Sequence, residues 1–210
     1  MKTLIITGNI GSGKSAACDI LARKKHLPIY DSDSRTKALY DEVPGLIEEL
    51  EERLNSKLRG EDGKLDRKAL ANIIFSNEEA LSIVESIMHP LVLKDFEAWK
   101  MDIEKQVEEG AIRPITWLVF ESAIILQKPM FAEFGDCVIE IFAPEELRIK
   151  RACARDGVSE DVVRARIEAQ NNELRVREPD FIIENMDDFE SLKFDLLSLY
   201  LYLNNKENKE

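Results

Sequence analysis

The chain has 210 residues, 44% of them hydrophobic and 33% charged, enough apolar material to bury a sizeable core, which excludes a fibre or a largely disordered protein. Its 29 lysines and arginines face 41 aspartates and glutamates, a net charge of -12; a field of that sign repels nucleic acid and anionic lipid, so an anionic ligand needs a local site. No apolar run approaches the roughly 20 residues that span a bilayer, and Met1 to Thr7 passes into a glycine-rich turn without a leader's basic and apolar regions, so the expectation is a cytoplasmic protein with neither a membrane nor a nucleic-acid partner.

Leu4-Ile5-Ile6 is a short apolar run closed by Gly8, the pattern of a central buried strand. A helix is predicted from Lys14 to Lys25, with Ala16, Ala17, Ile20 and Leu21 on one face. Leu27 to Tyr30 reads as a second strand, ending at Asp31-Ser32-Asp33, with a helix beginning near Arg35. From Ser34 to Gly110 only helical periodicity is found, broken at Pro44, Gly60, Gly63 and Pro90, and this block reads as an all-helical insertion. Within it, Ser76-Asn77-Glu78-Glu79 has capping-box spacing, and Glu48-Glu49-Glu51-Glu52 reads as a solvated helix face. Ile115 to Phe120 and Val138 to Phe142 are two further strands. Pro144-Glu145-Glu146 opens a helix that Gly157 stops. Phe181 to Ile183 is a fifth strand, Phe189 to Leu203 a closing helix, and Asn204 to Glu210 a frayed polar end. The expected organisation is a core of 1–33, 111–143 and 176–210, a helical domain of 34–110 and a segment of 144–175. Cys18, Cys137 and Cys153 are odd in number and contain no CxxC pair, which suggests neither a disulfide framework nor a zinc site.

Gly8-Asn9-Ile10-Gly11-Ser12-Gly13-Lys14-Ser15 matches G-x4-G-K-[ST] between a predicted strand and a predicted helix. Glycines let backbone N–H groups converge on phosphate oxygens, and the helix N-terminus, continuing into Ala16, adds partial positive charge. Lys14 reaches the β and γ phosphates, and the Ser15 hydroxyl is a Mg²⁺ ligand. A switch GTPase needs an Asn-Lys-x-Asp guanine reader, and Asn-Lys occurs only at Asn205-Lys206 and Asn208-Lys209 in the polar tail. The chain also leaves little room for the coupling domains of a large ATP-driven machine. A small ATP-dependent kinase is the better class; the alternatives to the acceptor implied below are a P-loop small-molecule kinase of a nucleoside, a nucleotide or a sugar acid and, from a different class, a nucleotide-binding regulator.

Asp31-Ser32-Asp33 stands at the C-terminal end of a strand, where open α/β sheets place ligand contacts. A carboxylate there either receives an acceptor's proton or caps the helix that follows. Arg148, Arg151 and Arg155 are spaced along one helix face, and Pro144 to Glu178 holds seven of the thirteen arginines; such a row can close over ATP as a lid. Glu121, at the end of a strand, is a candidate to hold a metal-bound water, with a structural role equally open. His89 beside Pro90 reads as a packing or capping feature.

In order along the chain, the phosphate loop, Asp31-Ser32-Asp33, Gly63-Lys64-Leu65-Asp66-Arg67 with Leu70 and Ile74-Phe75, His89-Pro90, Phe120-Glu121-Ser122-Ala123-Ile124, Arg151 with Arg155-Asp156, Gln170, and Asp180 to Asn185 resemble the dephospho-CoA kinase family. The resemblance implies a P-loop kinase fold: a three-layer α/β/α core on a five-stranded parallel sheet, a helical substrate-binding insertion and a helical lid. It implies ATP and Mg²⁺, with dephospho-CoA as the acceptor, in a monomer or small homo-oligomer. By position, Asp33 serves the acceptor ribose hydroxyl, Lys14 and Ser15 serve phosphate and Mg²⁺, Arg151 serves the phosphates from the lid, and Asn185 lies near the adenine. The chain departs from the family pattern at Asn9, where a second glycine is usual, at Trp117, where many members have proline, and at Met186-Asp187, which replace a glycine-containing turn.

Overall fold

The computed structural model describes residues 1–171, 174–186 and 188–207, so Asp187 and the part of the expected frayed end from Asn208 to Glu210 lie outside the described residues. The chain divides into two compact units, Met1–Asp31 with Ile112–Glu210, and Ser32–Ala111.

The first unit is built on five strands: β1 Lys2–Thr7, β2 Ile29–Asp31, β3 Trp117–Glu121, β4 Cys137–Phe142 and β5 Phe181–Glu184. They form one sheet in the order β2-β3-β1-β4-β5, parallel at every pairing. β1 and β3 are central, which is why their apolar runs are continuous rather than alternating: Leu4, Ile5, Ile6, Leu118 and Val119 are wholly buried. Two helices, α1 (Lys14–Lys25) and α8 (Phe189–Glu207), cover one face, packing Ala17, Cys18, Leu21, Leu192 and Leu196 against Leu4, Ile6, Val119 and Ile139. On β3, Phe120 stacks on Tyr30 at 5.3 Å between centroids and meets Phe134 edge-on at 4.9 Å. Helices α6 (Glu145–Asp156) and α7 (Glu160–Asn171) pair through Ile149, Ala152, Val163 and Ile167, with Ile10 of the phosphate loop packed against them.

Several edges of this unit differ from expectation, among them β3, which begins at Trp117, two residues after the expected Ile115. β2 begins only at Ile29, leaving Leu27 and Pro28 before it. The closing helix continues through Asn204 to Glu207, because Tyr200 and Leu203 are still buried in the core and hold its last turns down.

The second unit is helical: α2 Ser32–Glu42, α3 Leu46–Leu54, α4 Arg67–Ser76 and α5 Glu78–Glu108, with a single bridge between Arg59 and Leu65 outside the named strands. Two of its helices have side-chain N-caps: Asp66, accepting from the Lys68 and Ala69 amides at 3.0 Å, and Asn77, accepting from the Glu79 and Ala80 amides at 2.9 and 3.1 Å. The cap of α5 is therefore Asn77, one residue beyond the expected Ser76, which ends α4 with its hydroxyl on Asn72 O. Pro90 does not break the helix. It lies inside the 31 residues of α5, because Val84, Met88, Val92 and Phe96 are buried at helical spacing on both sides of it, and that packing outweighs one missing backbone bond. The acidic run is only partly a solvated face: Glu51 accepts from Leu58 N, Arg59 N, Arg59 Nε and Arg59 Nη2 at 2.8–3.0 Å, while Glu48 takes Arg59 Nη1 at 2.7 Å.

Candidate active site

β1 delivers the chain into the loop Gly8 to Ser15 at the C-terminal edge of the sheet, and α1 starts at Lys14. Gly13 is the N-cap at φ 105°, and Gly11 sits at φ 77°. A Cβ at Gly13 would collide with the Asn185 carboxamide, and one at Gly11 with the Arg148 carbonyl. Glycine here therefore answers close approach as well as left-handed backbone. The first turn of α1 has no side-chain cap and no carboxylate, whereas the first turns of α3, α5, α6 and α7 each carry a pair of acidic residues. The positive end of α1 is left for an external anion.

In front of it lies a cavity of about 200 Å³ lined by Gly11, Gly13, Lys14, Ser15, Ala16, Arg151 and Arg155. Lys14 folds back to donate to Gly8 O at 2.7 Å. Ser15 Oγ donates to Glu121 Oε1 at 2.9 Å, which spends the hydroxyl proton and leaves its lone pairs for a cation. Glu121 ends β3 in register with Ile6 and Asp31. Burial raises its pKa; hydrogen bonds from Ser15 and Cys18 and the charge of Lys14 pull the other way. The buried Cys18 thiol is itself pushed well up by desolvation and then by Glu121, so it acts as a neutral donor. A cavity walled by amides, one lysine and two arginines, with a hydroxyl and a carboxylate at its edge, fits a nucleotide's phosphates and an accompanying Mg²⁺.

Two braces hold the loop. Asn185, 6% exposed, follows β5; its Nδ2 donates to Ser12 O at 2.8 Å, and Arg151 donates to its backbone and side-chain oxygens at 3.2 Å each. From α7, Gln170 Oε1 accepts from Ile10 N at 3.0 Å, while Arg148 Nη1 reaches Ile10 O at 3.5 Å. Asn9, the departure from the family pattern, donates to Asn171 Oδ1 at 3.4 Å.

Of the expected residues, the structure thus brings together Gly8 to Ala16, Arg151 and Asn185 within one unit. Of the arginine row, Arg148 is buried on the loop, while Arg151 and Arg155 line the phosphate cavity, Arg151 turned to Asn185 and Arg155 paired with Asp156 at 2.7 Å. Asp33 lies exposed in the first turn of α2, at the start of the helical unit. That helix begins at Ser32, ahead of the expected Arg35, so neither Asp33 nor Ser34 precedes it as a cap. His89 lies within α5. Residue-by-residue reading missed the bracing role of Asn185 and the pairing of buried Glu140 with the exposed Arg175 at 2.6 Å. The latter had a signal, since a lone carboxylate inside the apolar run Val138 to Phe142 requires a partner.

The dephospho-CoA kinase family model matches residues 3–190. The chain belongs to the dephospho-CoA kinase family. A dephospho-CoA kinase of Porphyromonas gingivalis is 40% identical over 173 residues, covering 82% of this chain and 79% of the relative. A crystal structure of a Thermus thermophilus protein superposes with a TM-score of 0.73 at 26% identity, covering 96% of this chain and 97% of that one. Dephospho-CoA kinase from Campylobacter jejuni, at a TM-score of 0.65 and 24% identity over 98% of both chains, shares the fold. As a dephospho-CoA kinase the chain is an ATP-dependent phosphotransferase with a P-loop kinase fold. Among the described residues no helix is long and apolar enough to cross a membrane.

Proposed function

We propose that the protein transfers the γ-phosphoryl group of ATP to the ribose 3′-hydroxyl of dephospho-CoA, giving CoA and ADP. The observation that carries this reading is the phosphate cavity at the uncapped start of α1, in a chain of this family. The acceptor oxygen forms a bond to the γ-phosphorus, the bond to the β,γ-bridging oxygen breaks, and the hydroxyl proton passes to the Asp33 carboxylate. Backbone amides of Gly8 to Ala16 hold the phosphates. Lys14 leaves Gly8 O to follow the charge that develops on the β and γ oxygens, and Arg151 approaches from α6.

Ser15 Oγ would ligate Mg²⁺, and Glu121 and Asp31 would hold its waters. When bound, the ion neutralises phosphate charge. Asn185 braces Arg151 and Ser12 O through both ends of its carboxamide and lies near the adenine. The helical unit receives dephospho-CoA, α6 and α7 act as the lid, and the protein works in the cytoplasm.

The test is ADP release with Mg-ATP and dephospho-CoA, with mass spectrometry of the acceptor, and with AMP, adenosine and gluconate in parallel. One phosphate added to dephospho-CoA alone is expected. Transfer to another acceptor, or ATP binding without transfer to any, would overturn the reading.

A further inference from the structure

The phosphate loop is short, glycine-rich and offers few side chains of its own for packing, yet amides that bind an anion must already converge before it arrives. Gly13 and Ser12 are fixed from one flank by Asn185. The opposite flank, at Ile10, has no neighbouring strand to fix it. There the peptide is gripped from α7. Gln170 Oε1 accepts from Ile10 N at 3.0 Å, and Gln170 Nε2 donates to Ala123 O at 2.9 Å in the segment after β3. One half-buried carboxamide therefore spans three parts of the fold with its acceptor and a donor both used, which fixes its orientation. Ile10 O faces Arg148, and the Ile10 side chain packs against the α6–α7 cluster of Ile149, Ala152, Val163 and Ile167.

We infer that Gln170 is a positioning residue for nucleotide binding, tying the last turn of α7 to the outer flank of the phosphate loop so that the loop amides are converged before ATP arrives. It touches neither phosphate nor acceptor and acts through Ile10. The inference rests on the proposed role of the loop as the ATP phosphate site, but not on the identity of the acceptor. A residue of this kind sets affinity for the nucleotide and leaves the chemical step and the acceptor alone. Loss of its hydrogen bonds weakens ATP binding by about tenfold, the scale of one or two buried hydrogen bonds.

The experiment compares wild type with Gln170→Met, which keeps length and volume and removes both hydrogen bonds. Calorimetry measures affinity for a non-hydrolysable ATP analogue with Mg²⁺, kinetics measure KM for each substrate and kcat, and thermal unfolding reports the folded fraction. The expected result is analogue Kd and ATP KM raised about tenfold, with kcat at saturating ATP and acceptor KM within twofold and the variant fully folded at assay temperature. A folded variant with unchanged analogue Kd overturns the inference, as does a loss of kcat with no change in Kd.

If Gln170→Met does not fold, hydrogen exchange at the Ile10 amide of unliganded wild type decides. Slow exchange supports the tie, and exchange at the rate of an open loop amide overturns it. Because the analogue measurement needs no acceptor, a wild type that binds ATP but fails to phosphorylate dephospho-CoA would refute the proposed reaction while leaving this result readable.

Discussion

A single aspartate separates the two halves of the proposed chemistry. Asp33 stands exposed in a first helical turn with no cap to make, so changing it disturbs little of the fold. Asp33→Asn is expected to lower kcat about 10²- to 10⁴-fold, while affinity for an ATP analogue stays within twofold; a variant retaining wild-type kcat would remove the residue from the reaction. The loop from Gly8 to Ser15 was legible because its chemistry demands particular residues at fixed spacing within one stretch. Asn185 is different. Its bracing depends on Ser12 and Arg151 arriving from 173 and 34 residues away in the chain, and no local pattern records a contact of that kind. The same holds for Arg148, Arg151 and Arg155, whose spacing correctly gave one helix but not where each guanidinium turns.

At the scale of elements, all five strands were readable from the sequence, and the errors fell at their ends, at the end of α8 and in the helical unit. Pro90 was the largest, because local propensity was allowed to outvote burial. Pro90→Ala restores a donor for Ser86 O; setting about 3 kcal/mol for the lost bond and clash against about 1 kcal/mol of unfolded-state entropy leaves a gain of about 2 kcal/mol. Urea unfolding should show a higher midpoint, and a lower one would mean that α5 needs the proline. Glu51 supplies the pH dependence of the same unit. Arg59 and the Leu58 amide hold its carboxyl at about 2, well below the ordinary carboxylate range. A depressed folded pKa gives stability that is present above the unfolded value and lost as pH falls from about 4.5 towards about 2. Glu51→Gln should flatten stability across that window while lowering it at neutral pH; an unchanged acid limb would place the acid sensitivity elsewhere.

For the whole molecule, binding and folding are linked through Lys14 and the loop. Mg-ATP at a hundred times its Kd should stabilise the protein by about 2.7 kcal/mol, and Lys14→Ala at the same ligand concentration should lose most of that shift in a thermal melt. Equal shifts would move the nucleotide away from this cavity. A change of periodicity, strand-like at both ends and helical between, was visible in the sequence, while the sheet order was not. β1 takes its neighbours from β3 and β4, both of which lie beyond the uninterrupted block Ser32–Ala111. A ribosome therefore releases β1, the phosphate loop and α1 long before anything exists for them to pair with, while the helical block emerges whole. Arg148, Gln170 and Asn185, which grip the loop, come later still, so a motif translated ahead of all its partners is among the last to take shape. Nascent chains halted short of residue 185 should carry the complete motif in sequence and bind no ATP.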